Sequence, residues 1–193
     1  RHDRRVRFYV GNRVILDRER GRAIALAYAN LARYNPAARP SFDAMAADEL
    51  AQFHRLAQSV FCEPWTGAGQ PYKGSRAMRE DVLLRRHLWV FAGGSAHPCR
   101  DAGQVFRGRA VHDVFGHALP GNSFSPDGEL AAFVAHAPHY SYAALPALAS
   151  DNLGQTCFFY FHPVNSGRVI GAREWPEQKV DLLPEELWRD FLN

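Results

Sequence analysis

The sequence predicts a mainly α (α+β) fold: one compact helical domain over residues 1–193, with a small N-terminal β-hairpin and one further short strand. Three observations carry that expectation. Apolar residues recur at three- and four-residue spacing through most of the chain. Alternation of the strand type is short and N-terminal. A chain of 193 residues that is 47% hydrophobic and 22% charged is enough for one buried core.

The elements follow in order. Val6, Phe8 and Val10 alternate with Arg7 and Tyr9, Gly11-Asn12 supplies a two-residue turn, and Arg13 to Leu16 returns, which predicts a hairpin. Ile24, Ala27, Tyr28 and Leu31 recur at helical spacing, closed by Pro36 and Pro40. Ser41 reads as the N-cap of the strongest helix, whose apolar face is Phe42, Met45, Ala46, Phe53, Leu56, Ala57 and Val60. Gly and Pro content makes Glu63 to Pro71 a loop. A short helix from Ser75 to Arg86 precedes a strand, His87 to Phe91, ended by Gly93-Gly94. From Asp101 to Phe161 the chain reads as helical, with interruptions at Pro120-Gly121-Asn122 and at Pro138. The tail from Gln178 to Pro184 predicts a helix and a turn, followed by a last short helix ending at Leu192. There are no internal repeats.

Composition narrows the function classes. No apolar run approaches the ~20 residues of a membrane span, and no apolar h-region follows the basic start, so no signal peptide is expected and the default location is cytoplasmic. Cys62, Cys99 and Cys157 are odd in number and lack C-x-x-C spacing, which argues against a disulfide framework or a cysteine zinc site. The net charge is +3 and nearly all the positive charge is Arg, scattered without a basic stripe; nucleic-acid binding is not indicated. The expected partner is a small-molecule substrate.

The chemistry concentrates in the histidines. Six of nine lie between His97 and His162. His112 and His117 flank Asp113 and Gly116 on a helix whose buried stripe is Val111, Val114, Phe115 and Ala118. Five residues apart, they stand ~140° apart on an ideal helix. They converge on one ion only if the turn loosens, which Gly116 permits. Asp113, four before His117, is placed to orient that imidazole. Ser125-Pro126-Asp127 starts a new helix on which Glu129 and His136 share a face. Asp151 and Gln155, four apart, share a face of a very apolar helix, where a carboxylate is expected to be paired or metal-bound. Taken singly, His136, His139 and His162 read as core or surface histidines.

Two resemblances follow from these residues. Phe42 to Gln58, His87 to Phe91, Val111 to His117, Gly128-Glu129, His136, Gly154-Gln155 and Gln178-Lys179 through Leu183-Pro184 resemble an uncharacterised phage-associated protein family. In that family the segment matching Ser150 to Gln155 usually reads Thr-Glu-Thr-Arg-Gly-Gln; here Asp151 stands for the Glu and Leu153 for the Arg. The family brings no activity with it. Locally, His112-Asp113-Val114-Phe115-Gly116-His117 is similar to the His-Glu-x-x-Gly-His iron motif of the pterin-dependent aromatic amino acid hydroxylases. Those enzymes complete a two-His-one-carboxylate triad with a downstream Glu on another helix. The resemblance implies Asp151, 34 residues after His117, as the matching ligand.

The resulting expectation is a mononuclear non-haem iron oxygenase acting on a small molecule, with an amino acid or aromatic metabolite in view. Fe(II) would be held by His112, His117 and Asp151. Glu129 is the alternative ligand or a proton-transfer group, and Asp113 and His136 complete the catalytic set. Phe158 to Phe161 wall the pocket or simply pack the core. Three alternatives stand beside it: a zinc hydrolase on the same ligands with Glu129 as base, a dimetal site built from all five groups, and a phage-related structural metalloprotein with a closed four-ligand shell.

Overall fold

A computed structural model describes residues 15–94 and 96–193. The expected hairpin lies outside these residues except for Ile15 and Leu16. Leu16 is buried, and its N–H donates to the Asp127 carboxylate at 2.8 Å. The rest is the mainly helical molecule that the sequence predicts, with a small sheet.

Helix α1 (Arg18–Asn30) starts at Asp17, whose carboxylate accepts the Glu19 N–H, and buries Ile24, Ala25 and Tyr28. Helix α2 (Arg39–Leu56) begins before Ser41, with Pro40 in its first turn. Ser41 is therefore not the cap. Its hydroxyl donates to the Ala143 carbonyl at 2.7 Å and accepts the Ala147 N–H at 3.1 Å, fastening α2 to a distant segment.

The loop expected from Glu63 begins later than the sequence suggests. Strand β1 (Phe61–Trp65) pairs in parallel with β2 (His87–Phe91), in register from Phe61 opposite His87 to Trp65 opposite Phe91. With only two strands both are edges, and there Pro64, which lacks an N–H, is tolerated. The crossover is α3 (Ser75–Glu80) and a π turn (Asp81–Arg85), closed by Arg86 in the left-handed region at φ 55°.

Helix α4 (Ala102–Val111) opens with a capping box between Asp101 and Gln104 and runs directly into a second π turn, His112–Ala118. Helix α5 (Pro126–His136) starts where expected, with the Ser125 hydroxyl accepting the Gly128 N–H. Helix α6 (Leu145–Leu148) leads into a third π turn, Ala149–Gly154, and then α7 (Gln155–Phe161).

The tail departs from expectation: Gln178 to Pro184 is extended, not helical. Its backbone is satisfied by the loop after α1, with the Val180 N–H donating to the Arg33 carbonyl and the Asn35 N–H to that of Val180. Lys179 donates to the Ala29 and Leu31 carbonyls at the end of α1. These external partners replace the intrahelical bonds that a helix would have supplied.

Two apolar clusters result. The larger joins α1, the start of α2, and α5 to α7 with the tail through Tyr28, Phe42, Phe133, Leu148, Leu153 and Trp188. The smaller joins the end of α2, the sheet and α4 through Leu56, Met78, Val82, Leu88, Val111 and Val114. Among the described residues no helix is long and apolar enough to cross a membrane, and all three cysteines are free thiols.

Candidate metal centre

The site begins with a register change. After Val111 the hydrogen bonds lengthen to five residues: the Leu119 N–H reaches the Val114 carbonyl at 2.9 Å and the Asn122 N–H that of His117 at 3.1 Å. In such a turn residue i+5 comes back above residue i. The α-helical separation of ~140° is thereby closed, and the Nε2 atoms of His112 and His117 stand 3.1 Å apart. Gly116 sits at the contact with α5, where a Cβ would come within 3.2 Å of the Ala132 methyl. A side chain there would push α5 away.

That close approach delivers Glu129. Its Oε2 lies 3.4 Å from His117 Nε2 and 3.7 Å from His112 Nε2. Bonds of ~2.1 Å at angles between tetrahedral and right-angled separate ligand atoms by about 3.0–3.4 Å. The triangle is close to that size without an ion. His117 is 2% exposed at its side chain, and His112 and Glu129 are each 19% exposed, so the cluster is largely enclosed with solvent reaching two of its three members. Among the described residues no further His, Cys, Asp or Glu joins this group.

The electrostatics suit a cation. Burial alone would raise the Glu129 carboxyl, but hydrogen bonding and charge from His112 and His117 outweigh it and hold the carboxyl down to about 2. Burial likewise opposes a charged His117, yet Glu129 raises it above the ordinary histidine value. A buried carboxylate held in its charged form beside two imidazoles is a group that could take up a divalent ion.

Both imidazoles are held from behind. His117 Nδ1 faces the Asn122 carbonyl at 3.3 Å. A carbonyl only accepts, so Nδ1 carries a proton and Nε2 is the nitrogen that could take an ion. The Asn122 side chain in turn donates to the Gly116 carbonyl at 2.8 Å. His112 Nδ1 lies 3.1 Å from Asn152 Nδ2. Phe124 meets the His117 ring edge-on at 5.0 Å, and the Tyr160 hydroxyl donates to the Phe124 carbonyl.

The expected ligands divide. His112 and His117 come together as anticipated, and the carboxylate beside them is Glu129, the alternative ligand. Asp151, the carboxylate expected as third ligand, is placed in another network. Arg100 donates to it at 3.1 Å, Gln155 at 2.7 Å, and His97 Nε2 lies 3.7 Å away. Burial would raise its carboxyl, but His97 and Arg100 keep it below the usual range. Arg100 also contacts Glu49, which burial pushes up to about 8 against the pull of that guanidinium. Asp151 and Gln155 are thus the pair their spacing predicted, turned toward an arginine.

The expected supporting roles also shift. Among the described residues the Asp113 carboxylate makes no hydrogen bond. Burial pushes its carboxyl up, and His112 and His117 pull it down by charge; His117 is oriented by Asn122 instead. His136 is fully buried behind His112, ring centroids 5.9 Å apart, with Nε2 2.7 Å from Gln52 Oε1. Burial and neighbouring histidines hold it well below the ordinary value, and it does not join the His112, His117 and Glu129 group.

Sequence reasoning missed Asn122, Asn152, Arg100 and Glu49. Asn122 had a legible signal, lying in the break after His117. The others depend on which way a π turn faces. Comparison with protein-family models, with curated proteins and with solved structures finds no match for the chain.

Proposed function

We propose that this chain is a mononuclear metalloenzyme of the non-haem iron type, holding one Fe(II) through His112, His117 and Glu129 and oxidising a small molecule. The observation that carries the reading is the triangle of two imidazole nitrogens and one carboxylate oxygen, 3.1, 3.4 and 3.7 Å on its edges, with His112 and Glu129 partly exposed. Two His and one carboxylate on one face leave positions for oxygen and substrate. When bound, Fe(II) would supply the one-electron chemistry that no side chain here offers. The chain's own contribution is to orient both imidazoles, to supply the anionic charge, and to keep the centre largely out of water behind Phe124 and the neighbouring helices.

The absence of a fourth His, Cys, Asp or Glu in the group, among the described residues, favours an open centre over a closed structural one. A hydrolytic zinc centre with Glu129 as base loses support, because the same carboxylate stands at a ligand position. Dimetal chemistry loses it too, since Asp151 is engaged with Arg100 and His136 with Gln52.

The test is oxygen uptake by anaerobically loaded Fe(II) protein against a panel of aromatic and aliphatic amino acids and related metabolites, with Zn(II) protein in parallel. The proposal expects substrate-dependent uptake with iron and none with zinc, which is d¹⁰ and passes no electrons. Turnover with zinc in the absence of oxygen would replace it with hydrolysis.

A further inference from the structure

Asn152 lies outside the ligand triangle, but its position bears on whether His112 can bind an ion at all. It comes from the π turn Ala149–Gly154 and places Nδ2 3.1 Å from His112 Nδ1. An amide nitrogen only donates. A neutral His112 accepting that bond at Nδ1 carries its proton on Nε2, the atom 3.1 Å from His117 Nε2. On His117 the Asn122 carbonyl instead keeps a proton on Nδ1. The groups are then mutually consistent: the Asn152 amide donates to His112 Nδ1, His112 Nε2–H faces the Glu129 carboxylate at 3.7 Å and His117 Nε2 at 3.1 Å, and His117 Nδ1–H donates to the Asn122 carbonyl.

An ion requires the lone pair of His112 Nε2, so the proton must sit on Nδ1. Asn152 then faces a donor and has to present its oxygen, which a half-turn of the amide achieves without moving the backbone. The two tautomers carry the same number of protons, so solvent exchanges the proton between the nitrogens with no net gain or loss.

We infer that Asn152 is a positioning residue for the metal centre, whose side-chain amide turns over as the ion arrives and locks His112 in the tautomer that exposes Nε2. The inference rests on the metal-centre reading above. It takes Asn152 beyond a helix-packing role and predicts an ordering of variants that packing alone does not give. Aspartate only accepts, so it favours the metal-binding tautomer in every state, as carboxylates behind metal-bound histidines do. Alanine favours neither.

The experiment measures Zn(II) affinity of the full chain by competition with a chromophoric chelator, for wild type, Asn152→Asp and Asn152→Ala, with thermal midpoints alongside. Asn152→Ala should bind about 10–100-fold more weakly, the usual cost of losing such a partner, and Asn152→Asp at least as tightly as wild type. Long-range ¹H–¹⁵N spectra of the wild-type His112 ring supply a readout that needs no variant: the proton should reside on Nε2 without zinc and on Nδ1 with it. Equal affinity for wild type and Asn152→Ala overturns the inference, as does the same tautomer with and without zinc. Either result leaves the metal centre standing. A wild-type chain that takes up no zinc removes the centre itself, and the inference with it.

Discussion

Glu129 keeps its charge in a place where burial alone would remove it. His112 and His117 stabilise the anion there, and the three residues form a group that could hold one cation. Replacing Glu129 with Gln preserves its shape and removes the charge, so Glu129→Gln should weaken metal binding at least tenfold, as read by equilibrium dialysis, with little change in the thermal midpoint. Asp151 behaves in the opposite way. Asp151→Asn takes a charged partner from Arg100 and should cost about 1.5–3 kcal/mol of stability, the scale of a hydrogen bond to a charged group, while the metal stays bound. A variant that denatures like wild type but loses its metal would reverse the two assignments. The sequence displayed both carboxylates and both histidines, and their residue types and crowding made a candidate metal centre legible. It did not show which carboxylate turns inward. That depended on Arg100, 51 residues before Asp151, occupying the carboxylate first.

Among the elements, the π turns decide what meets. Reading faces at ~100° per residue works for α1, α2 and α5 and fails through His112–Ala118 and Ala149–Gly154, where the pitch widens. The five-residue spacing and Gly116 pointed to the first of these turns; nothing comparable marks the second, so Asn152 was invisible. The tail failed for a different reason: its pattern is helical, but the loop after α1 supplies its hydrogen bonds. Close packing at the start of α5 gives a direct test. A Cβ on Gly128 would fall 2.1 Å from the Ser123 backbone oxygen, one residue from Asn122. Gly128→Ala should therefore cost about 1–3 kcal/mol by overpacking, read by chemical denaturation, and should weaken zinc binding by displacing Asn122 from His117. A fully stable variant with normal affinity would show that the loop yields freely.

The sheet carries a pH dependence of its own. His87 bonds Asp81 at 2.7 Å and Glu63 at 3.1 Å, joining β2 to β1 and to the π turn after α3. Burial opposes its charge, but the two carboxylates outweigh burial and raise it above 6.5. A raised histidine stabilises the fold fully below the unfolded value and progressively loses that contribution as pH climbs through the folded one. Metal-free stability should thus fall as pH rises from 6.5, and His87→Gln should flatten that part of the profile. An unchanged slope in the variant would assign it to other groups.

At the scale of the whole molecule, the centre lies on the seam between the two apolar clusters. Val111 and Val114 anchor its histidine helix in the smaller cluster, and Leu130 and Phe133 anchor the Glu129 helix in the larger. An ion held across that seam would tie the two clusters together, because it would bind the folded arrangement and not the unfolded chain. The most direct measurement is a crystal structure of the metal-loaded protein with anomalous scattering recorded at the absorption edge of the bound metal. The account predicts one peak per chain, about 2.1 Å from the Nε2 atoms of His112 and His117 and from the Glu129 carboxylate, with the remaining positions filled by solvent. A peak bonded to Asp151, or one with no bond to either histidine, would contradict it.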